Sequence, residues 1–227
     1  MDEIVWRGMT RAQLDAAYTP PAPKEEGWGA RLDEALERVA RLDTIPVRHL
    51  ANKLEQDAGM AAAELWADRP EAALTRLLGV LDEATGTIVA QQAGECLALV
   101  ARAAADLAAA DPGRRRLLLQ RLVGLWAQID FKPGDGPASG HACAATGEAE
   151  LARLADKQSI EVWARAATAW DKLARPFDAA YCRWRAAQVA LTTGQATLSQ
   201  RLLKRAAQDA REHAPLREAI RRAADGT

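Results

Sequence analysis

Aromatic residues make up only 5% of this 227-residue sequence, and Val, Ile, Tyr and Phe, which favour strands, are scarce. Ala and Leu, the strongest apolar helix formers, supply most of the hydrophobic content instead. No apolar run approaches the roughly 20 residues needed to span a bilayer. The composition therefore favours helices throughout, and it disfavours a sheet protein or an integral membrane protein.

Cysteine is also rare, and Cys96, Cys143 and Cys182 lie far apart without a CxxC pair. This pattern does not predict a disulfide framework. The first residues include Asp2 and Glu3 and lack the apolar segment of a secretory signal. We therefore predict a cytoplasmic protein.

Strong net charge of either sign is missing as well. The formal charge is −1 and the pI is near 6.3. No global field would then attract nucleic acid or an anionic membrane surface. We expect neither direct nucleic-acid binding nor membrane association.

Catalytic signatures are absent from the sequence, which has no GxxxxGK[ST] phosphate loop and no GxSxG nucleophile motif. His141 and Cys143 are close enough to offer two metal ligands, but a zinc site needs four. Glu148 and Glu150 do not share a helix face, which disfavours joint acid–base chemistry and indicates a solvated surface. We expect no enzymatic activity, no cofactor and no metal site.

A helical period is present from about residue 30 onward. Residues 19–29 contain three prolines and two glycines, so residues 1–29 are predicted to be an N-terminal segment and linker. Residues 30–131 are predicted to form the first half of a helical array, and residues 146–227 the second half. Between them, residues 132–145 read as a Gly- and Pro-rich loop. The first helix shows the period clearly, with apolar positions Leu32, Ala35, Leu36, Val39 and Ala40.

Capping signals mark several helix starts. Asp68 is predicted to be an N-cap, with Pro70 in the first turn of its helix. Asp111 precedes Pro112 in the same way, and the helix after it is predicted to bury Leu118, Leu122, Leu125 and Ile129.

Short connections between the predicted helices set the architecture. The segment from residue 87 to residue 110 is predicted to be one long helix, and four more helices follow residue 145 with only a few residues between them. Successive helices must then pack antiparallel. We predict an all-α fold, an antiparallel stack of helix hairpins that forms a tetratricopeptide-like α-solenoid.

Two pairs of small residues support this type of repeat. Gly194 and Ala206 are twelve positions apart, and Ala67 and Gly79 have the same spacing. In the tetratricopeptide hairpin, small residues at such positions let the paired helices approach closely.

The last 80 residues contain a more specific pattern, whose elements are Glu148, Glu150, Trp163, the run Trp170 to Leu173, Arg175-Pro176-Phe177, Ala179-Ala180-Tyr181, Arg183-Trp184-Arg185 and Gly194. This segment resembles the helical region near the C-terminus of large LuxR-type bacterial transcription regulators that contain an AAA-ATPase. Residues 60–130 resemble the preceding part of that region through their Ala, Leu and Arg content. The resemblance implies a tetratricopeptide-like array that senses or relays signals. The ATPase phosphate loop and a C-terminal helix-turn-helix are missing here, so neither effector activity is expected.

The aromatic and arginine residues of this segment allow two interpretations. They either form the core between two helices or line a groove for a partner. The candidate groove residues are Trp163, Trp170, Tyr181, Arg183, Trp184 and Arg185.

The function expected from these features is a non-catalytic module for protein interaction or signal relay. Its partner would be a protein, a peptide or a second copy of the chain. One alternative is a helical domain that senses a small-molecule effector held between its helices. A remnant of a larger regulator, without independent activity, is a further interpretation.

Overall fold

A computed structural model describes residues 28–44 and 47–225 of the chain. These residues form ten α-helices and no strand, which confirms the predicted all-α class. The helices are α1 (Trp28–Asp43), α2 (Leu50–Trp66), α3 (Pro70–Ala84), α4 (Gly94–Ala110), α5 (Arg115–Ile129), α6 (Gly140–Leu154), α7 (Ile160–Asp171), α8 (Pro176–Thr192), α9 (Ala196–Asp209) and α10 (Ala214–Asp225). Over the same residues, no helix combines the length and apolar character that a membrane crossing requires.

The predicted loop at residues 132–145 is shorter in the structure, because α6 already begins at Gly140. A Cβ atom at Gly140 would lie 2.3 Å from the carbonyl oxygen of Pro133. Glycine at this position therefore permits close packing of the loop on the helix start, although its presence in the sequence suggested a flexible turn. Most of the predicted linker at residues 1–29 lies outside the described residues, and α1 begins at Trp28.

The segment from residue 87 to residue 110 is not one helix. A 3-10 helix, Ile88–Gln92, precedes α4, which begins at Gly94. A Cβ atom at Gly94 would lie 2.7 Å from the ring of Phe131, so that ring packs directly against the backbone at the start of α4. The apolar period did not reveal this break, although Ile88, Val89 and Gly94 are weaker helix formers than Ala and Leu.

The predicted caps have different outcomes. Asp111 accepts a hydrogen bond from the Gly113 amide at 3.0 Å, as predicted. Asp68 does not cap α3: its φ is +58°, and Arg69 occupies the N-cap position without a side-chain bond. The left-handed conformation follows the end of α2, so Asp68 closes that helix before Pro70 begins the next.

Packing divides the interior into two clusters. The first joins α2 to α5 and contains the four apolar residues predicted for α5, which are all buried: Leu118, Leu122, Leu125 and Ile129. The second joins α6 to α10 around the fully buried ring of Trp163. Helix α6 contributes to both clusters and packs along α4. Because of this shared helix, α2, α4, α6 and α8 surround a common interior.

The two pairs of small residues also differ. Ala206 is fully buried, and Gly194 ends α8 with a φ of +74°, a conformation that favours glycine. Gly79 is exposed, and apart from its chain neighbours and the backbone of its own helix no atom lies within 4 Å of the Cβ that it lacks. Close approach of helices therefore does not explain Gly79.

Candidate functional site

A cavity of about 110 Å³ lies between α2, α4, α6, α7 and α8. We call it the aromatic cleft, because four rings line it: Trp66, Trp170, Phe177 and Tyr181. The rings of Trp66 and Tyr181 meet edge to face with centroids 6.2 Å apart. The indole N–H of Trp170 donates a hydrogen bond to Thr146 Oγ1 at 2.9 Å, which fixes that ring against α6.

Beneath the rings lies a set of ionised side chains, here called the charge cluster: Arg102, Asp106, Glu150, Arg153 and Arg185. Glu150 is fully buried and accepts hydrogen bonds from Arg153 Nε at 2.7 Å and from the Tyr181 hydroxyl. Asp106 accepts from Nη2 of Arg153 at 2.7 Å and from Nη2 of Arg185 at 3.2 Å. Through these bonds α4, α6 and α8 are tied together at the floor of the aromatic cleft.

The charge cluster favours the ionised forms of Asp106 and Arg153. Burial alone would raise the pKa of Asp106, but the guanidinium groups of Arg153, Arg185 and Arg102 together hold it below its ordinary value. Burial also disfavours a charged Arg153, yet Glu150 and Asp106 raise its pKa above the usual range. Burial raises the pKa of Tyr181, so its hydroxyl keeps its proton and donates a hydrogen bond to Glu150.

Arg102 differs from the other two arginines of the charge cluster. It is 8% exposed and lines the aromatic cleft, with its guanidinium carbon 4.2 Å from the ring centre of Trp66 and 4.8 Å from that of Tyr181. Its nearest carboxylate is Asp106, with Nε and Oδ2 3.7 Å apart, beyond hydrogen-bond distance. Over the residues that the structure describes, the Arg102 guanidinium donates no hydrogen bond, and its Nε is buried without a partner.

Two carboxylates stand at the other end of the aromatic cleft. Partial burial of the carboxyl group raises the pKa of Glu95, and the nearby charge of Asp178 raises it further. Burial likewise raises the pKa of Asp178, although Arg175 Nε donates to its Oδ2 at 2.9 Å. Glu95 is exposed and has no ion-pair partner among the described side chains. This end of the cleft therefore favours a positive charge.

His213 stabilises the outer wall of the aromatic cleft. Its ring stacks on Phe177, with centroids 3.9 Å apart, and lies 5.2 Å from the ring of Trp66. Burial lowers the pKa of His213 to about 4, so the ring is neutral at pH 7. Its Nδ1 can then accept a hydrogen bond from the Leu216 amide at 3.2 Å, which caps α10.

The six residues predicted to form a groove do not share one surface. Trp170 and Tyr181 line the aromatic cleft, whereas Trp163, Trp184 and Arg185 are buried behind it. Arg183 lies elsewhere and forms ion pairs with Asp171 and Asp209 across α7, α8 and α9. The aromatic rings of this segment are thus mainly core residues, with two of them reaching the cavity.

Glu150 and Arg102 are the site residues that sequence reasoning missed. The sequence indicated a solvated surface for Glu148 and Glu150, but Glu150 is fully buried. Two positions along a helix correspond to nearly opposite faces, so the pair could not share one environment. No local signal marks Arg102, because its aromatic neighbours Trp66 and Tyr181 come from other helices.

Other cavities offer less defined chemistry. A groove of about 670 Å³ lies between α9 and α10, where Leu203, Ala207 and Ile220 provide apolar walls. It contains no aromatic ring and no buried charge. Among the described residues, no group of three or more His, Cys, Asp or Glu side chains is arranged to hold a metal ion. We therefore take the aromatic cleft as the candidate site.

Comparison with known proteins adds no assignment. No protein-family model matches the chain, and searches of curated proteins and of solved structures give no significant match.

Proposed function

We propose that this chain is a non-catalytic protein-interaction module that works in the cytoplasm and binds a protein or peptide partner at the aromatic cleft. In this proposal the helices stack as tetratricopeptide-like antiparallel hairpins. The stack positions the lining side chains of α2, α4, α6 and α8 on one rigid wall. The observation that carries the proposal is Arg102, which lies between aromatic rings at the cavity wall with its donors unused.

The size of the aromatic cleft supports a peptide over a whole effector molecule. Its volume is about 110 Å³. Pockets for drug-sized ligands usually measure about 300–1,000 Å³. The cleft therefore suits one side chain or chain end of a partner, while the rest of the partner lies on the helices around it.

The chemistry of the lining also suits a binding hot spot. Interfaces concentrate their binding energy in Trp, Tyr and Arg that fill or line desolvated pockets. Trp66, Trp170, Tyr181 and Arg102 provide these residue types around one opening. The resemblance to the sensory region of LuxR-type regulators is consistent with a signal-relay role for such contacts.

A small-molecule effector is the second candidate. The observation in its favour is that Glu150 holds both the Tyr181 hydroxyl and the Arg153 guanidinium by hydrogen bonds at the floor of the cleft. These polar groups are therefore in place before any ligand binds. Such preorganisation reduces the cost of binding a small ligand.

Filling the aromatic cleft tests the proposed function. Ala62 lines the cavity and is half-buried, so Ala62→Met would occupy part of the space with little disturbance of the core. We expect peptides selected from a displayed random library on the wild-type protein to lose at least tenfold in affinity for this variant. Fluorescence polarisation with the synthesised peptides measures the change.

Ala72→Met is the matched control, because Ala72 is exposed on α3 and does not line the aromatic cleft. It should bind the selected peptides as the wild type does. The proposal would be contradicted if no peptide is selected from libraries that display peptides with a free N-terminus or a free C-terminus. Equal binding of the selected peptides by Ala62→Met and Ala72→Met would also contradict it.

A further inference from the structure

The unused donors of Arg102 indicate what kind of group the aromatic cleft receives. Trp66 and Tyr181 lie over the guanidinium, and Asp106 approaches only its Nε side at 3.7 Å. Nε of Arg102 is buried without a partner, and among the described residues its terminal N–H groups donate no hydrogen bond, although the residue is only 8% exposed. A guanidinium presents these N–H groups as a planar fork, which matches the two oxygens of a carboxylate.

The balance of charge around Arg102 points the same way. Three arginines and two carboxylates make up the charge cluster, which leaves one positive charge uncompensated. Glu150 accepts from Arg153, and Asp106 accepts from Arg153 and Arg185 on Oδ1. Only Oδ2 of Asp106 approaches Arg102, and it lies 3.7 Å from Nε, so the terminal N–H groups of Arg102 have no carboxylate in the charge cluster. A buried charge that is only partly compensated is costly, and a bound anion would supply the missing charge.

The opposite end of the aromatic cleft has the opposite preference. Glu95 and Arg102 are seven positions apart on α4, hence on the same face and about 10 Å apart along the helix axis. Asp178 stands near Glu95, and one cation, Arg175, is paired with Asp178 at 2.9 Å, which leaves a net negative charge at this end. A cation placed there would relieve their mutual repulsion.

We propose that the aromatic cleft binds a ligand with a carboxylate at one end and a cation at the other, and that Arg102 holds the carboxylate. Glu95 and Asp178 face the cation, and the aromatic rings enclose the carbon chain between the two charges. This inference rests on the proposed function, since it names the part of the partner that enters the cleft. The C-terminal residue of a peptide with a basic side chain has this chemistry, and so does a free ω-amino acid.

Three small compounds test the inference on the full-length protein. Nα-acetyl-lysine carries both charges, Nα-acetyl-lysinamide lacks the carboxylate, and Nα-acetyl-norleucine lacks the ammonium group. We expect Nα-acetyl-lysine to bind with a Kd at least tenfold lower than that of either relative. Titrations monitored by the tryptophan indole N–H signals in nuclear magnetic resonance measure all three, because Trp66 and Trp170 line the cleft.

Variants assign the two ends. Arg102→Met should abolish the preference for the free acid over the amide. If that variant does not fold, Glu95→Gln provides a second test, because Glu95 is exposed and its replacement should leave the fold intact. Glu95→Gln should weaken Nα-acetyl-lysine about tenfold, the scale of 1.4 kcal/mol, and leave Nα-acetyl-norleucine unchanged. Glu37→Gln, an exposed change on α1, should alter neither.

Further titrations distinguish a peptide end from a free amino acid as the ligand. They also distinguish failure of this inference from failure of the proposed function. Stronger binding of a lysine-terminated pentapeptide than of 6-aminohexanoate supports a peptide end, and the reverse order supports a free amino acid. Equal binding of Nα-acetyl-lysine and Nα-acetyl-lysinamide overturns the inference. If the selected peptides still bind the wild-type protein in that case, the proposed function is preserved. Binding of 6-aminohexanoate without any peptide binding preserves the carboxylate site and overturns the peptide partner.

Discussion

At the scale of single residues, Glu148 and Glu150 occupy contrasting environments on the same helix. The side chain of Glu148 is 66% exposed and lies 3.9 Å from Arg165. Glu150 is fully buried and is bonded to Arg153 and Tyr181. An exposed pair contributes little to stability, whereas a buried carboxylate whose partners remain is costly to remove.

Glu150→Gln should therefore destabilise the protein much more than Glu148→Gln. Loss of the buried charge leaves three arginines with Asp106 alone, and we expect the free energy of unfolding to fall by about 3 kcal/mol. The change at Glu148 should stay within about 0.5 kcal/mol. Urea unfolding followed by circular dichroism measures both variants. Similar effects of the two substitutions would show that the charge cluster does not stabilise the fold as described.

The charge cluster could not be predicted from the sequence, whereas the apolar stripe of a helix could. The apolar stripe of α5 was predictable because Leu118, Leu122, Leu125 and Ile129 follow the helical period. Arg185 and Asp106 meet at 3.2 Å although 79 positions separate them. No periodicity carries such a contact, so neither the burial of Glu150 nor the position of Arg102 could be predicted from a single sequence.

At the scale of helices, two glycines have opposite roles. Gly194 ends α8 with a φ of +74°, which an L side chain adopts only with strain. Gly79 lies on the exposed face of α3, with open space where a Cβ would be. Each glycine is twelve positions from a small residue in the sequence. This shared spacing therefore does not mean that the two glycines have the same structural role.

Substitution by alanine should change stability in opposite directions at these two positions. Gly79→Ala should raise the free energy of unfolding by about 0.5–1 kcal/mol, because alanine loses less backbone entropy in a helix. Gly194→Ala should lower it by about 1–2 kcal/mol through left-handed strain. Thermal denaturation of both variants beside the wild type provides the measurement. A destabilising Gly79→Ala would mean that another helix packs on that face.

Helix ends were harder to predict than helix interiors. Asp111 has its predicted capping bond, because the acceptor and the amide that it caps are two residues apart. The starts of α4 at Gly94 and α6 at Gly140 were missed, since each depends on tertiary contact with Phe131 or Pro133. A glycine in a sequence indicates backbone conformational freedom. The tertiary contacts around it determine which conformation it adopts.

At the scale of the whole molecule, Asp106 connects the two core clusters. It lies on α4 of the first cluster and binds Arg153 on α6 and Arg185 on α8. Asp106→Asn removes the charge shared by both contacts. The interactions lost are between the clusters, and those within α2 and α3 are retained.

We expect Asp106→Asn to make the amide hydrogens of α6 and α8 exchange faster while those of α3 keep their protection. Hydrogen–deuterium exchange with mass spectrometry resolves these segments. Asp82→Asn is the matched control, because Asp82 is exposed on α3. Uniform acceleration along the chain in the Asp106 variant would indicate a single cooperative unit and contradict a local link between clusters.

The positions of the three cysteines have a practical consequence. Cys96, Cys143 and Cys182 lie on α4, α6 and α8, the same helices that the charge cluster joins, and all three are buried. Burial raises the pKa of each thiol, that of Cys143 to about 12, so the reactive thiolate scarcely exists in the closed fold at neutral pH. Three of the helices around the aromatic cleft, α4, α6 and α8, thus each carry a chemical reporter. The rate at which a maleimide modifies each cysteine gives the opening frequency of that helix, without any added probe.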